Sequence, residues 1–149
     1  MRLLRLALEA MIKLVAFVVL LMLIGCDEGV VPHSALLGKW KSNEKLTLDS
    51  MNSVAGVVPK VRELFENDFF GHLVIEYKEN EYRSINEKDN YESSFKPYEV
   101  LEVTDGYIRI RDWNDLLKDS EETTLRFEGD CYYALTTKYN FREYFCRYE

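Results

Sequence analysis

The sequence lacks the residue patterns on which common enzyme mechanisms depend. Histidine is scarce, since His33 and His72 are the only two in 149 residues. The chain has no Gly-x-Ser-x-Gly nucleophile turn, no glycine-rich phosphate loop and no His-Glu-x-x-His zinc motif. Carboxylates such as Glu121 and Glu122 fall in polar, turn-like segments, where a solvated surface accounts for them. We therefore predict a protein that is not an enzyme and that uses neither a metal nor a cofactor.

Positive charge is in short supply as well. Lysine and arginine total 19 against 26 aspartate and glutamate residues, which gives a net charge of −7. Binding to nucleic acid needs a cationic face that displaces counterions. Retention on anionic lipid by electrostatics needs a basic patch. The composition therefore argues against both of these partners.

Long apolar runs are also absent, apart from one near the N-terminus. It extends from Leu14 to Ile24 and follows a leader that carries Arg2, Arg5 and Lys13. The run is shorter than the roughly 20 apolar residues that a helix needs to cross a hydrocarbon core of about 30 Å. A basic leader, an apolar segment and small residues before a cleavage point are typical of a secretory signal peptide. The sequence therefore predicts an exported protein.

The end of this run, Leu23-Ile24-Gly25-Cys26, resembles the lipobox of bacterial lipoproteins. That motif reads Leu, a small or branched residue, Gly or Ala, and then Cys. The resemblance implies a diacylglyceryl group on the Cys26 thiol, cleavage after Gly25 and attachment of a fatty acid such as palmitate to the new N-terminus. It divides the chain into a signal peptide (1–25), a lipidated tether (26–37) and one domain (38–149).

The same resemblance implies a place in the cell envelope, anchored by lipid and facing the periplasm. In enteric-type Gram-negative bacteria, an acidic residue directly after the lipidated cysteine retains a lipoprotein in the inner membrane. Asp27 therefore favours the inner membrane. The alternative is that Asp27 and Glu28 are simply solvated residues of the tether.

Two cysteines remain after Cys26, and both lie near the C-terminus. Outside the cytoplasm, two such thiols are usually paired. A bridge between Cys131 and Cys146 would close a loop of about 15 residues, which stabilises by roughly 3 kcal/mol in the loop-entropy picture. The alternative, a metal site, lacks further cysteine and histidine ligands. We predict a disulfide.

Most of the chain after residue 36 shows the alternation and turns of antiparallel strands. Leu73, Ile75 and Tyr77 alternate with polar or exposed positions, and Asp105-Gly106 is a strong hairpin signal. Seven or eight such strands favour an up-and-down barrel or a strongly curved sheet. Gly38-Lys39-Trp40 at the first strand resembles the start of lipocalins and lipocalin-like bacterial lipoproteins, which implies that Trp40 plugs the barrel floor. A core tryptophan at a strand start is the simpler alternative.

One helical segment interrupts the strands. Within Pro59–Phe70, apolar residues recur at spacings of three and four, which predicts an amphipathic helix with Pro59 in its first turn. Its apolar face consists of Val61, Leu64, Phe65 and Phe69. Because such a face must be buried, we predict that the helix closes one mouth of the barrel as a lid.

The chain is rich in aromatic residues, with ten Tyr, eight Phe and two Trp. Tyr107, Arg109 and Arg111 alternate with Ile108 and Ile110. They either face solvent, with arginine stems over rings, or line a lumen that receives a polar or anionic ligand. The candidate ligand-binding residues are Trp40, Phe65, Phe69, Tyr107, Arg109 and Arg111.

Two functions remain open from the sequence. The first is a lipid-anchored, lipocalin-like carrier that binds a small apolar or amphiphilic molecule inside the barrel. The second is an anchored inhibitor or immunity-type module whose acidic surface binds a basic protein. A carrier needs an apolar cavity, whereas an inhibitor can be solid. The presence of a cavity therefore distinguishes them.

Overall fold

Antiparallel strands make up most of the computed structural model, which describes residues 33–115 and 117–149. A short 3-10 turn, His33–Ala35, precedes the first strand. The described elements are the strands β1 (Gly38–Ser42), β2 (Leu73–Tyr77), β3 (Glu81–Asn86), β4 (Tyr91–Glu92), β5 (Lys96–Val103), β6 (Tyr107–Asn114), β7 (Asp119–Glu128), β8 (Cys131–Leu135) and β9 (Arg142–Tyr148), and the helices α1 (Glu44–Ser53) and α2 (Pro59–Glu66). The predicted signal peptide, Cys26 and most of the tether lie outside the described residues.

Eight of these strands close into a barrel. The order β1-β2-β3-β5-β6-β7-β8-β9 returns to β1, and every neighbouring pair is antiparallel. The short β4 pairs with β3 and lies outside the closed ring of eight strands. The predicted antiparallel up-and-down barrel is therefore confirmed, with eight strands in the barrel and one small addition.

The apolar core of the barrel is built from the inward-facing side chains of its strands. Ile108 and Ile110 of β6 are buried, as are Leu125 of β7 and Phe145 of β9. Side chains of successive strand residues point to opposite faces, so one apolar residue in two is enough to build this core. The sequence left open which face of β6 is inside, and the structure places Ile108 and Ile110 there.

One end of the barrel, which we call the floor, is closed by Trp40, Leu36 and Arg147. Trp40 is 2% exposed and its indole nitrogen donates to the carbonyl of Leu36 at 2.7 Å. The guanidinium of Arg147 lies 4.0 Å from the centre of the indole ring and donates to the carbonyls of Ala35 and Leu37. Trp40 therefore holds the chain before β1 against the barrel end.

Gly38 has a specific reason to be glycine at this floor. Its φ angle is +108°, a conformation that side-chain-bearing residues rarely adopt. A Cβ atom on Gly38 would also lie 3.1 Å from Nη1 of Arg147. The glycine of the Gly-x-Trp pattern thus makes room for the arginine that covers the tryptophan.

The two helices lie at the opposite end, which we call the mouth. The mouth is the end where β1 stops at Ser42 and β9 begins at Arg142. The side chain of Asn43 caps α1 by accepting from the amide of Leu46 at 3.0 Å. Thr47 and Ser50 of α1 accept from the amides of Tyr144 and Arg142. The helix therefore replaces β1 as the partner of β9 at this end.

The helices form a second apolar cluster with residues of the mouth. We call it the helix cluster; its buried members are Met51, Val57, Phe70 and Phe141, with Leu48, Val54, Val61, Phe65 and Tyr139 packed against them. Aromatic contacts join its parts, since the ring centres of Phe65 and Phe141 are 5.9 Å apart.

The predicted lid needs correction. The helical region is two short helices, and α2 ends at Glu66 rather than near Phe70. Val61 and Phe65 pack into the helix cluster, but Leu64 is 57% exposed and Phe69 is 54% exposed. The apolar stripe is therefore divided between the cluster and solvent, and it does not close the mouth as a single buried face.

The disulfide prediction is confirmed. Cys131 and Cys146 are bonded through their sulfur atoms and face each other in the register of β8 and β9. Their Cα atoms are 4.0 Å apart. The bridge thus links two strands that backbone hydrogen bonds already hold together.

Candidate ligand-binding lumen

A cavity of about 260 Å³ lies inside the barrel, above the floor. Its apolar lining comes from Leu73, Ile75, Ile110, Leu125, Ala134 and Phe145. Its polar lining comes from Tyr77, Tyr82, Asp112, Thr123, Tyr132 and Glu143. The strands β2, β3, β6, β7, β8 and β9 each supply at least one of these residues. We call this space the lumen cavity.

One polar side of the lumen cavity is formed by Asp112 and Tyr82, which hydrogen-bond to each other. The hydroxyl of Tyr82 donates to a carboxylate oxygen of Asp112 at 2.5 Å. Burial, and then the bond to Asp112, raises the pKa of Tyr82. Tyr82 also stacks on Tyr77, with ring centres 5.8 Å apart. The Tyr82 hydroxyl therefore satisfies one oxygen of the Asp112 carboxylate, and Lys96 interacts with the same carboxylate electrostatically.

Glu143 is the second carboxylate of the lumen cavity. It lies directly opposite Ala134 in the register of β8 and β9. Burial raises the pKa of its carboxyl group above the usual range. Ala134 has a small side chain, which leaves the space in front of the carboxylate open.

Tyr132 lies deepest among the polar residues of the lining. The residue is 1% exposed and its ring stacks on Phe145 with centres 5.4 Å apart. Burial raises its pKa well above the usual value, and the neighbouring Tyr77 and Glu143 raise it further. The hydroxyls of Tyr77 and Tyr132 are close enough for each to affect the pKa of the other, but their geometry is not that of a hydrogen bond. The Tyr132 hydroxyl has no hydrogen-bond partner in the described part of the chain.

A second space of about 390 Å³ adjoins the lumen cavity at the mouth. We call it the vestibule; it is lined by Ser42, Asp68, Phe69, Phe70, His72, Leu73, Asn86, Lys88, Asp89 and Glu143. Leu73 and Glu143 line both spaces. The two spaces therefore adjoin at the mouth, on either side of Leu73 and Glu143.

The candidate residues around the helices and the floor are divided among three places. Phe69 lines the vestibule. Phe65 packs inside the helix cluster, and Trp40 lies in the floor against Tyr132. Of these three, only Phe69 lines a space that adjoins the lumen cavity.

The candidate residues of β6 lie on the outer wall. Tyr107 donates to Glu102, at 2.9 Å between the hydroxyl and a carboxylate oxygen. Arg109 pairs with Glu102 and with Glu122, each at 3.0 Å. Arg111 pairs with Glu122 at 2.7 Å. The prediction that Tyr107, Arg109 and Arg111 bind a ligand inside the barrel is wrong, because these side chains form an ion-pair network outside it.

The polar residues of the lumen cavity were missed in the sequence. Glu143 has a detectable signal, since it is two residues from Phe145 and therefore shares its face of the strand. Asp112 follows Ile108 and Ile110 with the same period. Neither residue can be placed near a cavity without knowing which strands meet across the barrel.

The described ranges contain neither a candidate metal site nor a candidate membrane-spanning helix. No group of three or more histidine, cysteine, aspartate or glutamate side chains within residues 33–115 and 117–149 could hold a metal ion. Over the same residues, no helix is long and apolar enough to cross a membrane.

Comparisons with known proteins give no assignment. No protein-family model, no curated protein and no solved structure matches the chain.

Proposed function

We propose that the protein is a lipid-anchored, lipocalin-like binding protein whose barrel receives a small amphiphilic molecule. The observation that carries this proposal is the lumen cavity, a space of about 260 Å³ inside the barrel with a mixed apolar and polar lining. Ligand pockets of about 300–1,000 Å³ hold drug-sized molecules. A ligand smaller than those, or one that extends into the vestibule, fits the space.

The lining supports an amphiphile more than a purely apolar ligand. Ile110, Leu125 and Phe145 can cover an apolar body, and each buried apolar group contributes to affinity. Asp112 and Glu143 would be unfavourable next to an apolar atom, because a buried charge needs a polar partner. A molecule with one apolar and one polar part satisfies both regions.

Attachment to the cell envelope through Cys26 is the second part of the proposal. It is supported by the lipobox pattern in the sequence, and the barrel begins at Gly38, 12 residues after Cys26. Replacing Cys26 with serine should abolish labelling of the expressed protein by a fatty-acid analogue. Labelling that persists in this variant would contradict the anchor and leave the lumen proposal intact.

Ligand binding can be tested by filling the lumen cavity. The probe is tyrosol, a neutral phenol with a hydroxyethyl chain, titrated into the full chain in lipid nanodiscs and followed by saturation-transfer NMR. Ala134→Trp places a large ring in the cavity, whereas Thr124→Trp adds the same ring on the outer wall of β7. We expect saturable binding to the wild type and to Thr124→Trp, and none to Ala134→Trp.

Equal binding to the wild type and to both tryptophan variants would place the probe outside the lumen. The proposal would then be wrong, and a basic protein partner would become the leading alternative. Empty nanodiscs provide the reference for probe that dissolves in lipid.

A further inference from the structure

The charge of the lumen ligand can be inferred from Glu143. Of the two carboxylates in the lumen cavity, Asp112 accepts a hydrogen bond from Tyr82. Glu143 makes no hydrogen bond and no ion pair with any residue of the described ranges, and burial is the sole cause of its pKa shift. A partly buried carboxylate without a partner is unfavourable, and a cation next to it removes that penalty. Glu143 therefore lacks a positive partner.

The protein does not supply such a partner from nearby. Among the residues that line the lumen cavity there is no lysine, arginine or histidine. In the vestibule, Lys88 donates to Asp68 at 2.8 Å and His72 pairs with Asp68 at 2.7 Å. Both basic side chains of the vestibule are thus held by Asp68. An anionic ligand would therefore meet the unpaired carboxylate of Glu143.

A second and independent observation points to a ligand in the same space. Tyr132 lines the lumen cavity, and its buried hydroxyl, beside Tyr77, has no hydrogen-bond partner within the described ranges. Buried polar groups in folded proteins are nearly always paired. Tyr132 lies two residues before Ala134 on the same face of β8, and Ala134 is the cross-strand neighbour of Glu143. One molecule in the cavity could therefore meet both unpaired groups.

We infer that the lumen ligand is a small organic cation, with a protonated amine at Glu143, an apolar body against Ile110 and Leu125, and a second hydrogen-bonding group near Tyr132. This inference rests on the proposed function and specifies the chemical class of its ligand. The adjoining vestibule adds to the selection, because its three carboxylates (Asp68, Asp89 and Glu143) outnumber its two basic side chains, Lys88 and His72.

Three probes that differ only in the end group test the inference. Tyramine carries an ammonium group, tyrosol a hydroxyl group and 3-(4-hydroxyphenyl)propanoate a carboxylate on the same hydroxyphenyl body. Each is titrated calorimetrically into the full chain in nanodiscs at neutral pH. We expect tyramine to bind about tenfold or more tightly than tyrosol, as a hydrogen bond between charged groups predicts. The propanoate should bind most weakly.

Glu143→Gln should weaken tyramine binding by about tenfold or more and so remove the preference for tyramine over tyrosol. Glu66→Gln is the matched control, since it removes the same charge from an exposed position at the end of α2. It should keep the preference. Tyrosol binding to each variant shows that its lumen is folded.

The outcomes separate this inference from the proposed function. If tyrosol or the propanoate binds the wild type as tightly as tyramine, or if Glu143→Gln keeps the preference, the inference is overturned and the lumen function stands. If none of the three probes binds the wild type, the proposed function itself is contradicted. The order of affinities in the wild type decides the inference even if the Glu143 variant does not fold.

Discussion

Replacing Trp40 tests whether the floor closes the barrel as described. The side chain is 2% exposed, its ring lies 4.9 Å from that of Tyr132, and its indole nitrogen donates to the Leu36 carbonyl at 2.7 Å. Truncation of a buried tryptophan to alanine costs about 3–5 kcal/mol. We expect Trp40→Ala to lower the free energy of unfolding by at least about 3 kcal/mol, a large part of the 5–15 kcal/mol typical of a domain.

Trp40→Phe separates the hydrogen bond from the packing. Phenylalanine keeps an aromatic ring in the floor but leaves the buried Leu36 carbonyl without its donor. An unsatisfied buried group costs about 1–3 kcal/mol, so we expect a loss in that range. The cation–π contact of Arg147 with the ring should be weaker in this variant, because tryptophan is the better partner.

The chain contains its own control in its other tryptophan. Trp113 is 50% exposed at the mouth end of β6, and Trp113→Ala should change stability by less than about 0.5 kcal/mol. Urea unfolding is followed by far-ultraviolet circular dichroism, since the variants change the fluorescence itself. Equal losses in the two alanine variants, or no loss in Trp40→Phe, would refute the floor described here.

Three further predictions concern the bridge, the lumen and the helices. Removing the disulfide by replacing Cys131 and Cys146 with serine should cost roughly 3 kcal/mol for a loop of about 15 residues; a reductant that leaves the wild-type urea midpoint unchanged would contradict this. Burial raises the pKa of Glu143 in the folded state, so the charged carboxylate destabilises the fold at neutral pH. This destabilisation disappears as the pH falls through the raised pKa, because the carboxyl group then becomes neutral. Glu143→Gln should therefore raise the thermal midpoint at pH 7 and raise it less in acid, and an equal gain at both pH values would count against a raised pKa. Phe65→Asp should destabilise strongly because Phe65 packs in the helix cluster, whereas Leu64→Asp should have little effect at 57% exposure; similar losses in thermal midpoint would show that both residues are buried.

The sequence by itself determined the local features of this protein. Alternation in β6 predicted that Ile108 and Ile110 share one face, because the period of two is a property of a single strand. The number of strand-like segments and their short turns predicted the antiparallel barrel. Cys131 and Cys146 could be predicted to pair once the lipobox resemblance accounted for Cys26 and further metal ligands were lacking. Pro59 was correctly placed at the start of a helix, since its fixed φ angle suits that position.

The tertiary structure alone decided what lies inside the barrel. Tyr82 and Asp112 are 30 residues apart, and their hydrogen bond exists because barrel closure brings β3 and β6 to the same space. Periodicity shows that Tyr107, Arg109 and Arg111 share a face, but it does not say whether that face is inner or outer. The apolar stripe of α2 likewise predicted burial without naming the surface that covers it, and the cluster at the mouth covers only Val61 and Phe65. In the sequence, Glu143 is indistinguishable from any other charged strand residue. Only the pairing of β8 with β9 shows that it lies opposite the small Ala134, at the lumen cavity. These features depend on contacts between residues far apart in the chain, and no local pattern encodes which strands face each other across the lumen.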